Sequence, residues 1–285
     1  MKNFTLIGMM MVLIIGLTSC LDLVYEEPPE PSVPPPGVED PADLPAPEIN
    51  IPHQASYTDA QITIEWIGGP ASIANRLEYR YKINEEPFSD WSTSLTSVTR
   101  LFDEGQQTLL VEARYADRPP ESPNSSSDRS VSFGVNAVSG PSVMMRPRFT
   151  QTVNRNQIFE VFVWMEELSN VSSSDVHISY DNSKLQLLSS NFVSGNIMDS
   201  RAGASILYPQ NSASATGQLS FTTAFYGNPP PTVQGSGLYA RMSFSVRPNA
   251  PSGTTRIEVT PDTQVRNPQN NNVLNQRIHK DIVIP

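Results

Sequence analysis

Apolar and polar residues alternate in short runs along most of this chain. Gln61-Ile62-Thr63-Ile64-Glu65-Trp66-Ile67 alternates strictly and is closed by Gly68-Gly69-Pro70. Leu77 to Ile83, Thr108 to Tyr115 and Arg129 to Phe133 repeat the pattern. A second set follows: Phe149 to Val153, Gln157 to Met165, Val176 to Tyr180, Leu185 to Leu188, Gly217 to Phe225, Gly237 to Val246, Thr255 to Val259 and Lys280 to Ile284. Side chains alternate across a strand, so a period of two with turn residues between the runs predicts half-buried strands. No stretch keeps a helical period. Many short strands at short spacing predict an all-β chain of two β-sandwich modules, over residues 47–137 and 138–285.

The first 46 residues follow a different pattern. Met1-Lys2-Asn3-Phe4 carries one positive side chain, and an apolar run from Thr5 to Thr18 follows. That run is shorter than the ~20 residues a bilayer-spanning helix needs, which suits the core of a signal peptide. Leu17-Thr18-Ser19-Cys20 resembles the lipobox of bacterial lipoproteins. The resemblance implies that residues 1–19 are removed and that the Cys20 thiol carries a lipid. The chain would then be tied to a membrane through Cys20. Leu21 stands directly after the cysteine where the family's inner-membrane signal is Asp, which favours the outer membrane or cell surface. Residues 20–46 then form the lipidated cysteine and a proline-rich linker. Glu26 to Pro47 reads EEPPEPSVPPPGVEDPADLPAP. Proline removes donors and fixes φ, so this stretch is expected to be a disordered, extended stalk of ~3.1 Å per residue.

Composition narrows the function. The formal net charge is −10, which disfavours contact with a phosphate backbone and excludes nucleic acid as the expected partner. A single cysteine allows no internal disulfide. No Gly-x-Ser-x-Gly, His-Glu-x-x-His, P-loop or Gly-x-Gly-x-x-Gly is present, and no Asp-x-Asn-x-Asp-Gly calcium loop. His53, His177 and His279 are scattered along the chain. Glu85-Glu86 and Glu166-Glu167 are adjacent, and neighbours in a strand point to opposite faces. These features predict a binding protein without catalytic residues, cofactor or metal.

Two further resemblances refine that expectation. Trp66, the Tyr79/Tyr81 strand, Trp91 after Pro87-Phe88, and Leu101-Phe102-Asp103-Glu104-Gly105 leading into a long strand make the first module similar to fibronectin-III and Ig-like modules. The second module, Ser142 to Pro285, resembles a cohesin domain. The features are the valine-rich strand within Asn154–Met165, the run Ser174-Asp175-Val176-His177-Ile178-Ser179-Tyr180-Asp181-Asn182-Ser183-Lys184-Leu185, the strand Gly237 to Val246 followed by Asn249-Ala250-Pro251-Ser252-Gly253, and the apolar C-terminal strand. This implies a cohesin-like nine-stranded jelly roll that holds a protein partner, in the family a dockerin module, on one sheet face. The family's Asp and Asn anchors fall on Asp175 and on Ser173, where serine departs from the pattern. A carbohydrate-binding envelope lipoprotein is the alternative, with polysaccharide as partner. Tyr208, Phe225, Tyr226 and Tyr239 are then the expected sugar platforms. A purely structural envelope protein is the third reading.

Overall fold

The computed structural model describes residues 44–52, 55–69, 71–117, 126–199, 206–207, 210–213 and 216–285. The expected signal peptide, Cys20, almost all of the stalk and Tyr208 lie outside the described residues. The described chain is built from strands, and none of its helices is long and apolar enough to cross a membrane.

Seven strands make the first sandwich: β1 (Glu48–Ile49), β2 (Ser56–Tyr57), β3 (Gln61–Ile67), β4 (Leu77–Ile83), β5 (Ser97–Leu101), β6 (Gly105–Tyr115) and β7 (Ser126–Val135). One sheet runs β1-β3-β5 and the other β2-β7-β6-β4. The alternation seen in the sequence sets what is buried. Ile62, Ile64 and Trp66 of β3 point inward and are buried, as are Leu109, Val111 and Ala113 of β6 and Phe133 of β7. The buried Trp66 indole donates to the Leu95 carbonyl at 3.0 Å, so its one polar atom is satisfied. Trp91 packs as a surface aromatic, with the guanidinium groups of Arg80 and Arg114 at 4.6 and 4.1 Å from its ring.

The second sandwich begins with β8 (Ser142–Arg146), β9 (Gln151–Thr152), β10 (Ile158–Val171), β11 (Ser173–Tyr180) and β12 (Leu185–Phe192). It continues with β13 (Ile206–Leu207), β14 (Gln210–Ala213), β15 (Gln218–Phe225) and β16 (Val233–Val246). β17 (Gly253–Val259), β18 (Gln264–Arg266), β19 (Gln276–Ile278) and β20 (Lys280–Ile284) complete it. One sheet is β12-β16-β10-β8-β19; the other is β13-β15-β11-β17-β20-β9, with β14 on β15 and β18 on β11. These thirteen segments amount to nine interrupted strands. β17 and β18 both pair with β11, and β13 and β14 both pair with β15. β8 with β9, and β19 with β20, are each one path that leaves one sheet and joins the other. The expected nine-stranded all-β sandwich is therefore what the chain forms. Between the sheets lie Val161, Val163, Val176, Ile178, Phe221, Phe244, Ile257, Val259 and Ile282, all buried.

A charged joint links the sandwiches. Arg148 Nη1 donates to Glu104 Oε1 at 2.8 Å, with only 9% and 5% of the two side chains exposed. The second Glu104 oxygen accepts the Ala137 amide at 2.8 Å, and Asp103 accepts the Arg148 amide at 2.8 Å. Burial pushes both acids above the usual carboxylate range, opposed by the surrounding arginines and amides. The Phe149 ring has the Arg100 guanidinium 3.9 Å and the Lys280 ammonium 4.7 Å from its centroid. Lys280 is fully buried and also donates to the Phe149 carbonyl.

Candidate functional site

β11 carries Ser173, Asp175, His177 and Ser179 outward and Ser174, Val176, Ile178 and Tyr180 inward. Its antiparallel neighbour β15 shows the same alternation, and the register sets Ser173 opposite Ala224, Asp175 opposite Thr222, His177 opposite Ser220 and Ser179 opposite Gln218. On the other side β18 places Arg266 and Gln264 opposite Ser173 and Asp175. The outer face here is a field of polar side chains.

At its centre the Asp175 carboxylate is held at both oxygens. Thr222 Oγ1 donates to Oδ1 at 2.7 Å, and His177 Nε2 lies 2.9 Å from Oδ2. Each carboxylate oxygen has a second lone pair, so the group remains able to accept from a partner while its rotamer is fixed. Its side chain is 43% exposed and that of His177 is 36% exposed, so both are reachable from solvent. Ser173 sits two residues away on the same face, ~7 Å along the strand, and its hydroxyl has no partner among the described residues.

A raised edge borders this cluster. Between β17 and β18 the chain turns through Thr260-Pro261-Asp262-Thr263, and this turn is sewn to His177. The Thr260 amide and the Thr263 hydroxyl both donate to the His177 carbonyl, at 2.8 and 3.0 Å, and the His177 amide donates to Thr263 Oγ1 at 2.9 Å. The turn leaves a recess of about 280 Å³ lined by His177, Gln218, Ser220, Thr260 and Asp262. His279 plays a different part: its Nδ1 accepts the Val259 amide at 3.2 Å, and burial holds its pKa below the ordinary histidine value. It serves the strand crossing between β19 and β20. No group of three or more metal-ligating His, Cys, Asp or Glu side chains occurs among the described residues.

Ser173 and Asp175 are thus brought together on one open face. The aromatic set is not. Phe225 is 6% exposed and Tyr239 is fully buried, so neither can offer a ring to a sugar, which corrects the expectation for both. Phe225 shares the inward side of β15 with Leu219 and Phe221. Tyr239 was misplaced by a bulge. Val163 pairs with Ala240 and Trp164 with Leu238, so Tyr239 is the extra residue and the alternation of β16 shifts there. Its hydroxyl is bonded to the Ser174 and Thr223 hydroxyls at 2.9 and 2.6 Å in the core. Tyr226 is 54% exposed. Sequence reading did not single out Thr222 and His177. The alternation of β11 gave His177 the same face as Asp175, but only the pairing register brings Thr222 to it.

No family model matches this chain, and no curated protein matches it. Solved structures that are similar include three cohesins. The sixth cohesin of scaffoldin B from Acetivibrio cellulolyticus, in complex with a Cel5 dockerin mutant, is 15% identical, with a TM-score of 0.40 over 51% of this chain and 98% of that one. A Clostridium thermocellum cohesin, from a type I cohesin–dockerin complex, is 13% identical, with a TM-score of 0.40 over 50% and 98%. A non-cellulosomal cohesin from Archaeoglobus fulgidus is 15% identical, with a TM-score of 0.36 over 50% and 90%.

Proposed function

We propose that the chain is a non-catalytic, envelope-tethered receptor whose second sandwich captures a protein partner on the outer face of β11 and β15. The observation that carries this reading is the Asp175 carboxylate, pre-set by Thr222 and His177 on an open polar sheet face. A fixed anchor loses little rotamer freedom on binding, and a few such anchors dominate the energy of an interface. The sequence features that resemble a cohesin make a dockerin module the partner proposed, and the two relatives described in complexes were solved with dockerins. On this reading Asp175 accepts from a partner's backbone or hydroxyl donor, with Ser173 beside it.

The test is a pair of variants. Asp175→Ala is expected to weaken capture by ~1–3 kcal/mol, the usual cost of stranding a buried polar group. Thr222→Val removes the donor that orients the carboxylate and should weaken it by less. A dissociation constant untouched by Asp175→Ala discards this face.

Tethering rests on Leu17-Thr18-Ser19-Cys20. Lipid on Cys20 and a proline-rich stalk would hold the head clear of the membrane surface by tens of ångströms. Cys20→Ser is expected to move the protein from the membrane pellet to the soluble fraction and to abolish incorporation of labelled palmitate. Palmitate incorporation that persists in the variant contradicts the assignment.

A further inference from the structure

The outer face of β11 carries a second fixed charge beside Asp175. Arg266 of β18 lies opposite Ser173, and Gln264 lies opposite Asp175. Val265 between them is buried in the core, so Arg266 and Gln264 leave the sheet on the side of Ser173 and Asp175. Arg266 is therefore the diagonal neighbour of Asp175, and diagonal neighbours in a sheet are within reach of a long side chain. The two nevertheless do not pair with each other. The Asp175 carboxylate is engaged by Thr222 and His177. Arg266 Nη1 donates to the Asn270 carbonyl at 2.8 Å and to Asn270 Oδ1 at 3.1 Å, and Nη2 donates to Gln264 Oε1.

These contacts orient the guanidinium without neutralising it. All three acceptors are uncharged, and Arg266 has no carboxylate partner among the described residues. Elsewhere in this acidic chain arginines are matched: Arg80, Arg100, Arg114 and Arg148 each meet a carboxylate. The support behind Arg266 is itself braced. The Asn270 amide donates to the Asn267 carbonyl at 2.9 Å, and Asn267 Oδ1 accepts the Gln269 and Asn271 amides at 3.1 and 3.0 Å. A guanidinium offers more N–H groups than these contacts use, so donors remain for an acceptor from outside. Arg266 is only half-buried, which leaves it open to one.

The face is thus graded in charge along β11. Arg266 and the Ser173 hydroxyl stand at one end, Asp175 follows, and beyond His177 the Asp262 carboxylate lines the recess. Fixed charges of this kind choose partners, because a like charge set against them is costly and an opposite one is not. We propose that Arg266 determines specificity by pairing with an aspartate or glutamate carboxylate that the bound protein presents beside the donor taken by Asp175. This role rests on the receptor reading and adds the partner's chemistry to it. A protein with a basic group at that place is rejected.

Calorimetric titration of the chain with dockerin modules from the same organism, at low and at high ionic strength, tests this. Arg266→Gln is expected to weaken binding roughly tenfold at low salt and by much less at high salt, since it removes an attraction that salt screens. Arg266→Lys keeps the charge and should regain part of the affinity, while Arg266→Glu should lose more than Arg266→Gln. If Arg266 served only to brace the turn at 267–270, its loss would be felt equally at both ionic strengths and lysine would not restore it. Three results overturn the proposal: Arg266→Gln binding as tightly as the unaltered chain, a loss of equal size at both ionic strengths, or, should that variant fail to fold, an affinity of the unaltered chain that does not fall with salt. No binding of any dockerin by the unaltered chain overturns the receptor reading itself, and this role with it.

Discussion

Arg148→Ala should destabilise the chain by about 3–5 kcal/mol, the typical cost of removing one partner from a buried ion pair. The size follows from where Glu104 lies. Its carboxylate is 5% exposed, and burial already pushes its pKa up against the pull of Arg148 and the Ala137 and Val138 amides. Without Arg148 the charge is left with backbone donors alone, and its desolvation is no longer offset. The same change weakens the contact between the sandwiches. Arg148 also joins them through its amide, but that bond to Asp103 depends on the local path of residues 146–149. Differential scanning calorimetry is therefore expected to show one transition for the unaltered chain and two, the lower shifted down by several degrees, for Arg148→Ala. A single transition lowered by less than about 1 kcal/mol would show that the pair is not what couples them.

The second large effect is a rise in stability with pH. Lys280 is fully buried, and burial pushes its pKa down to about 8 from an ordinary value of 10.5, against the attraction of Asp103, Glu86 and Asp281 and with repulsion from Arg100. Between those two values the unfolded lysine holds its proton and the folded one does not, so the unfolded state binds more protons and stability increases as pH rises. The gain from this group alone is about 2 kcal/mol between pH 8 and pH 10. Tyr79 and Tyr180, whose pKa values burial pushes up, act in the opposite direction above pH 10, so the window closes there. Urea unfolding at the two pH values measures the rise. Lys280→Met removes the titrating group, keeps a similar volume, and should flatten the profile while raising stability at pH 7. An equal slope in the variant would place its cause elsewhere.

Both effects lie in the joint, and the joint bears on function. A head held by Glu104, Arg148, Phe149 and Lys280 keeps a set orientation to the sandwich that leads toward the proposed stalk. The partner face would then be presented in a constant geometry.

Much of this was legible in the sequence, because strand parity is set by solvent. The runs Gln61 to Ile67 and Val176 to Tyr180 are strands with the expected faces, and Asp175 and Ser173 share one side as their spacing requires. Parity failed where the backbone broke it. The bulge opposite Val163 and Trp164 turned Tyr239 inward, and nothing in Gly237 to Val246 signals an extra residue. Phe225 was a different case, since its parity with Leu219 and Phe221 already placed it in the core. Contacts between residues far apart in the sequence were beyond reach. The bonds of Asp175 to Thr222 and of Glu104 to Arg148 join residues 47 and 44 positions apart, and only the folded register brings them together. Trp164 and Phe162 could be read as strand residues, but their place in a cleft depends on how the turn at Glu85 approaches them.

Calorimetric titration of the chain with dockerin modules from the same organism tests capture on the β11–β15 face. Binding is expected, weakened by ~1–3 kcal/mol in Asp175→Ala and unchanged in Trp164→Ala. No heat with any dockerin, or binding that Asp175→Ala does not alter, would contradict capture on the β11–β15 face.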